Sequence, residues 1–193
     1  MSAFDRNAFG PVIGELLAEE RLNPLGPGTP NRDAKPRLDE LSIETAFAGR
    51  TVRDRDLAAG CLSGLWLVHD YLDASHGISQ NLETVEGSYW HGIMHRREPD
   101  YGNSKYWFRR VGNHPVFEPL RTDAAALASV AETDEASDFL TRQSAWDPFA
   151  FIDLCEACAR GRSSAETLCM QIQRREWELL FAFCFRGAVG TTA

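Results

Sequence analysis

The residues best suited to chemistry are the five histidines, which all fall within one quarter of the chain. They are His69, His76, His91, His95 and His114. All four tyrosines and three of the five tryptophans also lie between positions 66 and 114. Imidazole changes charge near neutral pH and is the commonest protein ligand for transition metals. We therefore take the segment 66–114 as the candidate site region.

Two pairs of histidines have the spacing of residues on one face of a helix. His91 and His95 are four residues apart, so their imidazoles are neighbours if the segment is helical. His69 and His76 are seven residues apart, or two helical turns, and we expect them on a common face of an earlier helix. Two imidazoles from one helix and a third from a neighbour form the open three-ligand site of catalytic zinc proteins. The predicted ligands of a divalent metal ion are His91, His95 and His76, with His69 as an alternative third ligand.

The same histidines have other interpretations. Any two histidines on a helix can fall four residues apart, and this pair lacks the intervening glutamate of the zincin motif. The cluster is therefore a metal site, a metal-free polar pocket or a structural network. The candidates for a catalytic role are His91, His95, His69 and His76. The acidic residues predicted to orient an imidazole through its second ring nitrogen are Asp70, Asp73 and Glu98.

The segment from His91 to Gly112 carries a net charge of +3 in a chain whose net charge is −8. Such a field attracts small anions, and a guanidinium matches a carboxylate or phosphate in two-point contact. We therefore expect the site to bind a small anionic molecule. The side chains predicted to contact this molecule are Arg96, Arg97, Arg109, Tyr101, Trp90 and Trp107. In the alternative, the arginines pair with internal acids and the aromatic residues belong to the core.

Helical periodicity extends along most of the chain, and no stretch shows the alternation of a strand. The predicted helices cover about 9–17, 38–47, 54–75, 85–97, 103–112, 123–131, 147–161 and 163–183, with a Pro/Gly-rich loop over 23–37. Gly77 is expected to end the third helix. Ser163 and Glu166 have the spacing of a capping box for the last helix. The pattern predicts an all-α, single-domain helical bundle of about seven or eight helices over residues 1–193.

Composition and charge narrow the class of protein. A hydrophobic fraction of 44% with 25% charged residues is typical of a globular domain. No stretch approaches the roughly 20 apolar residues of a membrane span, and the negative net charge disfavours nucleic-acid binding. The five cysteines lack a secreted-scaffold spacing and the first residues lack a secretory signal, so we expect a cytoplasmic protein. Cys155 and Cys158, a C-x-x-C pair inside a predicted helix, are expected to be buried thiols.

The site region resembles a signature shared by a family of bacterial proteins. The resemblance is carried by Trp90–Tyr101 (WHGIMHRREPDY), Lys105–Gly112 (KYWFRRVG) and His114–Phe117 (HPVF), together with Leu65–His76 upstream. No activity is attached to that family, so the resemblance implies a shared site and not a reaction. The combination of a single histidine with a His-x-x-x-His pair is also similar to DinB-like helical metalloproteins. In those proteins the pair lies much farther downstream of the single histidine.

Three functional hypotheses follow from these features. In the first, the protein is an enzyme whose histidines accept a proton or activate water beside a small anionic substrate. In the second, the same pocket binds that molecule without turnover. In the third, the cluster is the scaffold of a structural or homo-oligomerising domain, since Tyr, Trp and Arg are enriched at interfaces.

Overall fold

All regular structure in residues 4–190, the part of the chain described by this computed structural model, is helical. The first and last three residues of the predicted domain 1–193 lie outside the described residues. The elements are a 3₁₀ helix at Arg6–Phe9 and the α-helices α1 Pro11–Leu16, α2 Lys35–Asp39, α3 Ile43–Ala46, α4 Arg55–Val68, α5 Leu72–Ser79, α6 Val85–Arg97, α7 Tyr101–Val111, α8 Phe117–Ala128, α9 Phe139–Arg142, α10 Pro148–Ala159 and α11 Glu166–Val189. The prediction of an all-α fold is confirmed.

The described residues contain more helices than the predicted seven or eight, because two predicted segments are divided and α9 forms where no helix is predicted. The segment predicted over 38–47, for example, forms the two short helices α2 and α3. None of the helices in residues 4–190 combines the length and the apolar composition of a membrane span.

The core is centred where α4 packs against both α6 and α11. The fully buried Trp90 indole of α6 lies against α4, and a Cβ at Gly64 would stand only 2.8 Å from this ring. Trp177 of α11 donates its indole N–H to the Gly64 carbonyl at 2.9 Å. Glycine at position 64 therefore lets three helices approach closely, since a side chain there would displace the indole.

The chain turns sharply between α4 and α5, where the sequence predicts one continuous helix over 54–75. Helix α4 ends at Val68, and Asp70 adopts a φ of 63°, the left-handed region that side-chain-bearing residues rarely enter. The single-helix prediction is wrong. His69 is the residue after α4 and His76 lies within α5, so the expectation that they share one helix face is wrong as well.

The turn is held by the buried Asp70 carboxylate. It accepts hydrogen bonds from Arg97 at 2.5 Å, from Arg21 at 3.0 Å and from Asn23 at 2.8 Å. A strained backbone conformation persists where surrounding contacts over-determine it. These contacts, which join residues far apart in sequence, therefore stabilise the break that local periodicity does not indicate.

The Pro/Gly-rich loop predicted over 23–37 is fixed by side chains from two helices. Arg97 donates to the carbonyls of Gly26 and Pro27 at 2.8 and 3.1 Å. Gln173 of α11 donates to the carbonyls of Asn23 and Pro24 at 3.4 and 3.3 Å. The loop backbone thus finds hydrogen-bond partners although only its last residues, in α2, are helical.

Two of the predicted helix ends are also wrong, and one is confirmed. Helix α5 continues through Gly77 to Ser79. Helix α11 has no side-chain cap, since the Ser163 hydroxyl accepts the N–H of Ala165, the residue before the helix, at 3.2 Å and donates to Asp134 at 2.8 Å. Asp147 caps α10, with proline in the first turn, as the sequence predicts.

The central role of Asp70 in the turn can be tested with the variant Asp70→Asn. The substitution keeps the size of the side chain but leaves the Arg97 guanidinium buried without a carboxylate, and we expect a loss of about 3–5 kcal/mol in the free energy of unfolding. Asp73→Asn, at an exposed position of α5, is the matched control and should change this free energy by less than about 0.5 kcal/mol. Urea unfolding measures both. Equal stability of the two variants would show that the ion pair does not hold the turn.

Candidate metal centre

Helix α6 is buried on all sides although four of its buried residues carry basic side chains. Every residue from Gly87 to Arg97 is buried. The four are His91, His95, Arg96 and Arg97. Leaving a buried polar group without a partner costs roughly 1–3 kcal/mol, and a buried charge costs more. The partners of these four side chains therefore decide what the helix can do.

Arg96 is 1% exposed and binds the carboxylate of Glu176 on α11. The Tyr89 hydroxyl donates to the second carboxylate oxygen at 3.1 Å, and the Phe151 ring lies 4.8 Å from the guanidinium. Desolvation acts to lower the pKa of Arg96. The negative charge of Glu176, with smaller contributions from other neighbouring groups, outweighs this effect, so the pKa is raised. Arg96 thus joins α6 to α11 as an internal ion-pair partner.

Arg97 is equally buried and binds Asp70 and the loop carbonyls described above. Desolvation lowers its pKa, and the hydrogen bond that Arg97 donates to Asp70 opposes this effect. Two of the three arginines predicted to contact an anion, Arg96 and Arg97, therefore lie in buried ion pairs, the alternative that the sequence leaves open.

Of the other residues predicted to contact a ligand, only Trp107 touches the histidines. Trp90 belongs to the core, and Tyr101 is buried with a hydroxyl that has no hydrogen-bond partner among the described residues. Arg109 is exposed on α7. Trp107 of the same helix lies flat on His91, with ring centroids 4.0 Å apart and an interplanar angle of 16°.

Three imidazoles converge where α5 packs against α6. His91 and His95 lie one turn apart on α6 with stacked rings whose centroids are 4.7 Å apart. His76 of α5 faces both rings edge-on, at centroid distances of 4.7 and 5.3 Å. One nitrogen of each ring lies within 4.8 Å of the other two. The structure thus brings together the three histidines that the sequence names as metal ligands, and we call them the histidine cluster.

Ring nitrogens of the histidine cluster are left without partners. His91 Nδ1 and His95 Nδ1 are buried, and neither makes a hydrogen bond to any residue in 4–190. Buried polar atoms in folded proteins are paired in the large majority of cases, and each exception requires an explanation. In the tautomers protonated at Nε2, each of these two atoms offers a lone pair that a metal ion could accept.

Burial keeps the two α6 histidines neutral. Desolvation, followed by the neighbouring His95 and His76, lowers the pKa of His91 from 6.5 to about 4. Desolvation also lowers the pKa of His95, against the opposing effect of Glu98. A metal ligand must present a lone pair, so these imidazoles can bind an ion at neutral pH without first losing a proton.

Two polar side chains hold the His95 ring. The Asn103 carboxamide lies 3.0 Å from Nε2, and Glu98 Oε2 lies 3.2 Å from Nδ1 without hydrogen-bond geometry. A carboxamide offers an N–H or, after half a turn, an oxygen. The oxygen would accept the Nε2 proton and leave the Nδ1 lone pair free.

The sequence does not indicate this role for Asn103. Its position predicts only the start of a helix, whereas α7 begins two residues earlier with Asp100 as its cap. The sequence predicts a break between residues 97 and 103, but not a turn tight enough to bring the Asn103 side chain within 3.0 Å of the His95 ring. Glu98, in contrast, is predicted as a neighbour of the cluster and lies there.

The other two histidines are engaged elsewhere. His69 contacts the Leu16 carbonyl through Nε2 at 3.0 Å and the Asn31 carboxamide through Nδ1 at 3.1 Å. It therefore fastens the end of α4 to the N-terminal part of the chain. His114 Nδ1 accepts the backbone N–H of Val116 at 3.1 Å, within a turn before α8.

A cleft of about 850 Å³ opens beside the histidine cluster. The charged residues that line it are the acids Asp39, Asp70, Asp73, Glu98 and Asp100 and the base Lys35. Glu98 belongs both to this wall and to the surroundings of His95, so the cleft and the cluster adjoin. Of the three acids predicted to orient an imidazole, Asp70 instead binds Arg97, and Asp73 is exposed on the cleft wall.

Sulfur ligands lie in a separate group between α10 and α11. Cys158 Sγ is 3.8 Å from Cys169 Sγ, and these thiols and Cys155 are buried and free. The hydrogen bond with Cys169 lowers the pKa of Cys158 to about 7. The expectation of buried C-x-x-C thiols is confirmed, and any metal-binding experiment must distinguish this group from the histidines.

Comparison with known proteins gives no match to a family model, to a curated protein or to a solved structure. The resemblance of the site region to a bacterial signature, and its likeness to DinB-like metalloproteins, therefore stay predictions. The chemistry of the site must be inferred from its own geometry.

The depressed pKa of His91 predicts how acid affects the metal-free protein. An unfolded chain takes up this proton near pH 6.5 and the folded protein only near pH 4, so acid favours unfolding. The contribution to stability is complete above pH 6.5 and is lost as the pH falls through this window, by roughly 3 kcal/mol. Urea unfolding in EDTA at successive pH values measures the loss. His91→Gln should reduce it, and an unchanged pH dependence in that variant would contradict the assignment.

Proposed function

We propose that His76, His91 and His95 bind a divalent transition-metal ion, and that the protein is a metal-dependent hydrolytic enzyme. The observation that carries the proposal is the convergence of three imidazoles, one nitrogen each within 4.8 Å, with two buried nitrogens unpartnered. Tetrahedral zinc holds its nitrogen ligands roughly 3.4 Å apart, so the three nitrogens, now within 4.8 Å of one another, would have to approach by at most roughly 1.4 Å.

The identity of the ligands favours zinc or a similar ion. Imidazole nitrogen suits zinc, copper, nickel and iron, whereas calcium and magnesium require oxygen ligands. Three protein ligands leave a fourth tetrahedral position for water. A zinc ion lowers the pKa of such a water to about 7, which generates a nucleophile at neutral pH.

Glu98 is the residue best placed to accept the proton of that water. Its carboxylate lies 3.2 Å from His95 Nδ1 and is part of the cleft wall. Glu98 therefore lies beside a nitrogen atom that would bind the metal ion. It also faces the cleft, through which a substrate would reach that ion. His76 is half-buried, so the histidine cluster is partly open to solvent. His76 lies on α5, the helix that also contributes residues to the cleft wall.

The predicted anionic ligand finds no support in the cleft. Asp70 is paired with Arg97 and Arg21 and Asp39 with Lys35, so the acids Asp73, Glu98 and Asp100 line the cleft without an arginine or lysine partner in residues 4–190. Arg96 and Arg97 are turned into the protein by their ion pairs, and Arg109 is exposed on another helix. We therefore propose the metal ion that the sequence predicts, but not the small anionic ligand.

Metal binding is tested with protein that carries no histidine tag and has been stripped with EDTA. We expect calorimetric titration to show one zinc ion per chain, lost in His91→Ala and His95→Ala and weakened at least about tenfold in His76→Ala, since even second-shell changes cost that much. Cys158→Ser is the control and should bind as the wild type does. Zinc retained by the His91/His95 double variant, or lost in Cys158→Ser, would exclude the histidine site.

The role of Glu98 is tested by the variant Glu98→Gln in the zinc-loaded protein. Loss of a general base lowers a rate by about 10²- to 10⁴-fold, so hydrolysis of 4-nitrophenyl acetate, a generic ester, should fall at least 100-fold while zinc stays bound. Asp73→Asn, on the same cleft wall, should hydrolyse the ester like the wild type. If the wild type itself shows no zinc-dependent hydrolysis, the site binds metal without this chemistry and the enzymatic proposal fails.

A further inference from the structure

Two aromatic rings form a corner in the cleft. Trp66 of α4 and Tyr71, the residue before α5, stand at 90° to each other with ring centroids 5.4 Å apart. Both are half-buried and both line the cleft. The face of an aromatic ring attracts a cation, and tryptophan does so most strongly. Two perpendicular faces are the beginning of an aromatic cage for a positively charged group.

The chain places an ammonium group in this corner. Lys35 Nζ lies 5.5 Å from the Trp66 ring centroid and 5.8 Å from that of Tyr71. It also binds Asp39 at 2.5 Å, and its side chain is 42% exposed. A half-exposed lysine next to an exposed acid contributes little stability, so it can leave the corner at small cost.

The electrostatic surroundings favour a second cation over an anion. Asp70 is neutralised by Arg97 and Arg21, but Asp73, Glu98 and Asp100 line the cleft without an arginine or lysine partner in residues 4–190, and Asp39 loses its partner when Lys35 leaves. Within residues 4–190 the Asp73 carboxylate makes neither an ion pair nor a hydrogen bond. Like charges juxtaposed at a site exclude ligands of that sign, and opposite charges concentrate them.

We infer that the cleft binds a small molecule carrying an alkylammonium group, which Trp66 and Tyr71 hold in place of the Lys35 side chain. The cleft has the volume of a small-molecule site. The inference rests on the proposed function in one respect: the bond to be hydrolysed would lie toward Glu98 and the histidine cluster. Recognition of the ammonium group needs no metal ion.

The experiment compares two probes of the same shape on metal-free protein, choline and its uncharged isostere 3,3-dimethylbutan-1-ol, by NMR titration. We expect choline to bind and the alcohol to bind more weakly. Lys35→Met removes the internal ammonium group and should raise the choline affinity. In that background, Trp66→Phe should lower it and Trp66→Leu should lower it further, in total by roughly 2- to 30-fold, the range of a cation–π contact.

The graded order of tryptophan, phenylalanine and leucine separates recognition from loss of folding, since phenylalanine preserves the aromatic wall. Equal affinity for the charged and uncharged probes, or a Lys35→Met variant that binds choline no better than the wild type, would overturn the inference. Choline binding in a protein that binds no zinc would support the inference and contradict the proposed function. Zinc binding without choline binding would support the proposed metal site and overturn the inference of an alkylammonium ligand.

Discussion

The structure depends on the burial of a polar helix. Helix α6 lies inside the protein from Gly87 to Arg97, so each of its titratable side chains has to be neutral or paired. The two arginines are paired, with Glu176 and Asp70, and the two histidines are neutral. Burial therefore sorts four basic residues of one helix into two roles. The arginines fix the architecture, and the imidazoles keep lone pairs that a metal ion can use.

The two roles are connected through Asp70. Its carboxylate draws Arg97, Arg21 and Asn23 together and stabilises a left-handed residue between α4 and α5. The break redirects the chain, so that α5 packs against α6 and places His76 against the histidine pair. The same turn carries the Trp66 and Tyr71 corner of the cleft. One buried ion pair thus positions the third imidazole and one wall of the adjoining cleft.

Sequence reasoning succeeds here where the determinant is local. The spacing of His91 and His95, the helical periodicity and the Asp147 cap depend on residues within one or two turns, and the structure contains all three. It fails at the break after Val68 because the partners of Asp70 lie 27 to 49 residues away. The net charge of +3 over residues 91–112 suggests an anion site for the same reason. The acid that pairs with Arg96 is Glu176 on α11, which lies far outside this segment. A count of charges does not report which charges are already paired.

The central claim is that three imidazoles form the coordination shell of a metal ion. The most direct measurement is X-ray absorption at the zinc edge on protein loaded with one equivalent of zinc. We expect three imidazole nitrogens and one further light-atom ligand at about 2.0–2.1 Å from the zinc ion, with no sulfur ligand. Sulfur at about 2.3 Å would place the ion at Cys155, Cys158 and Cys169, and an all-oxygen shell would place it on the acidic cleft. Either result would contradict a metal site formed by His76, His91 and His95.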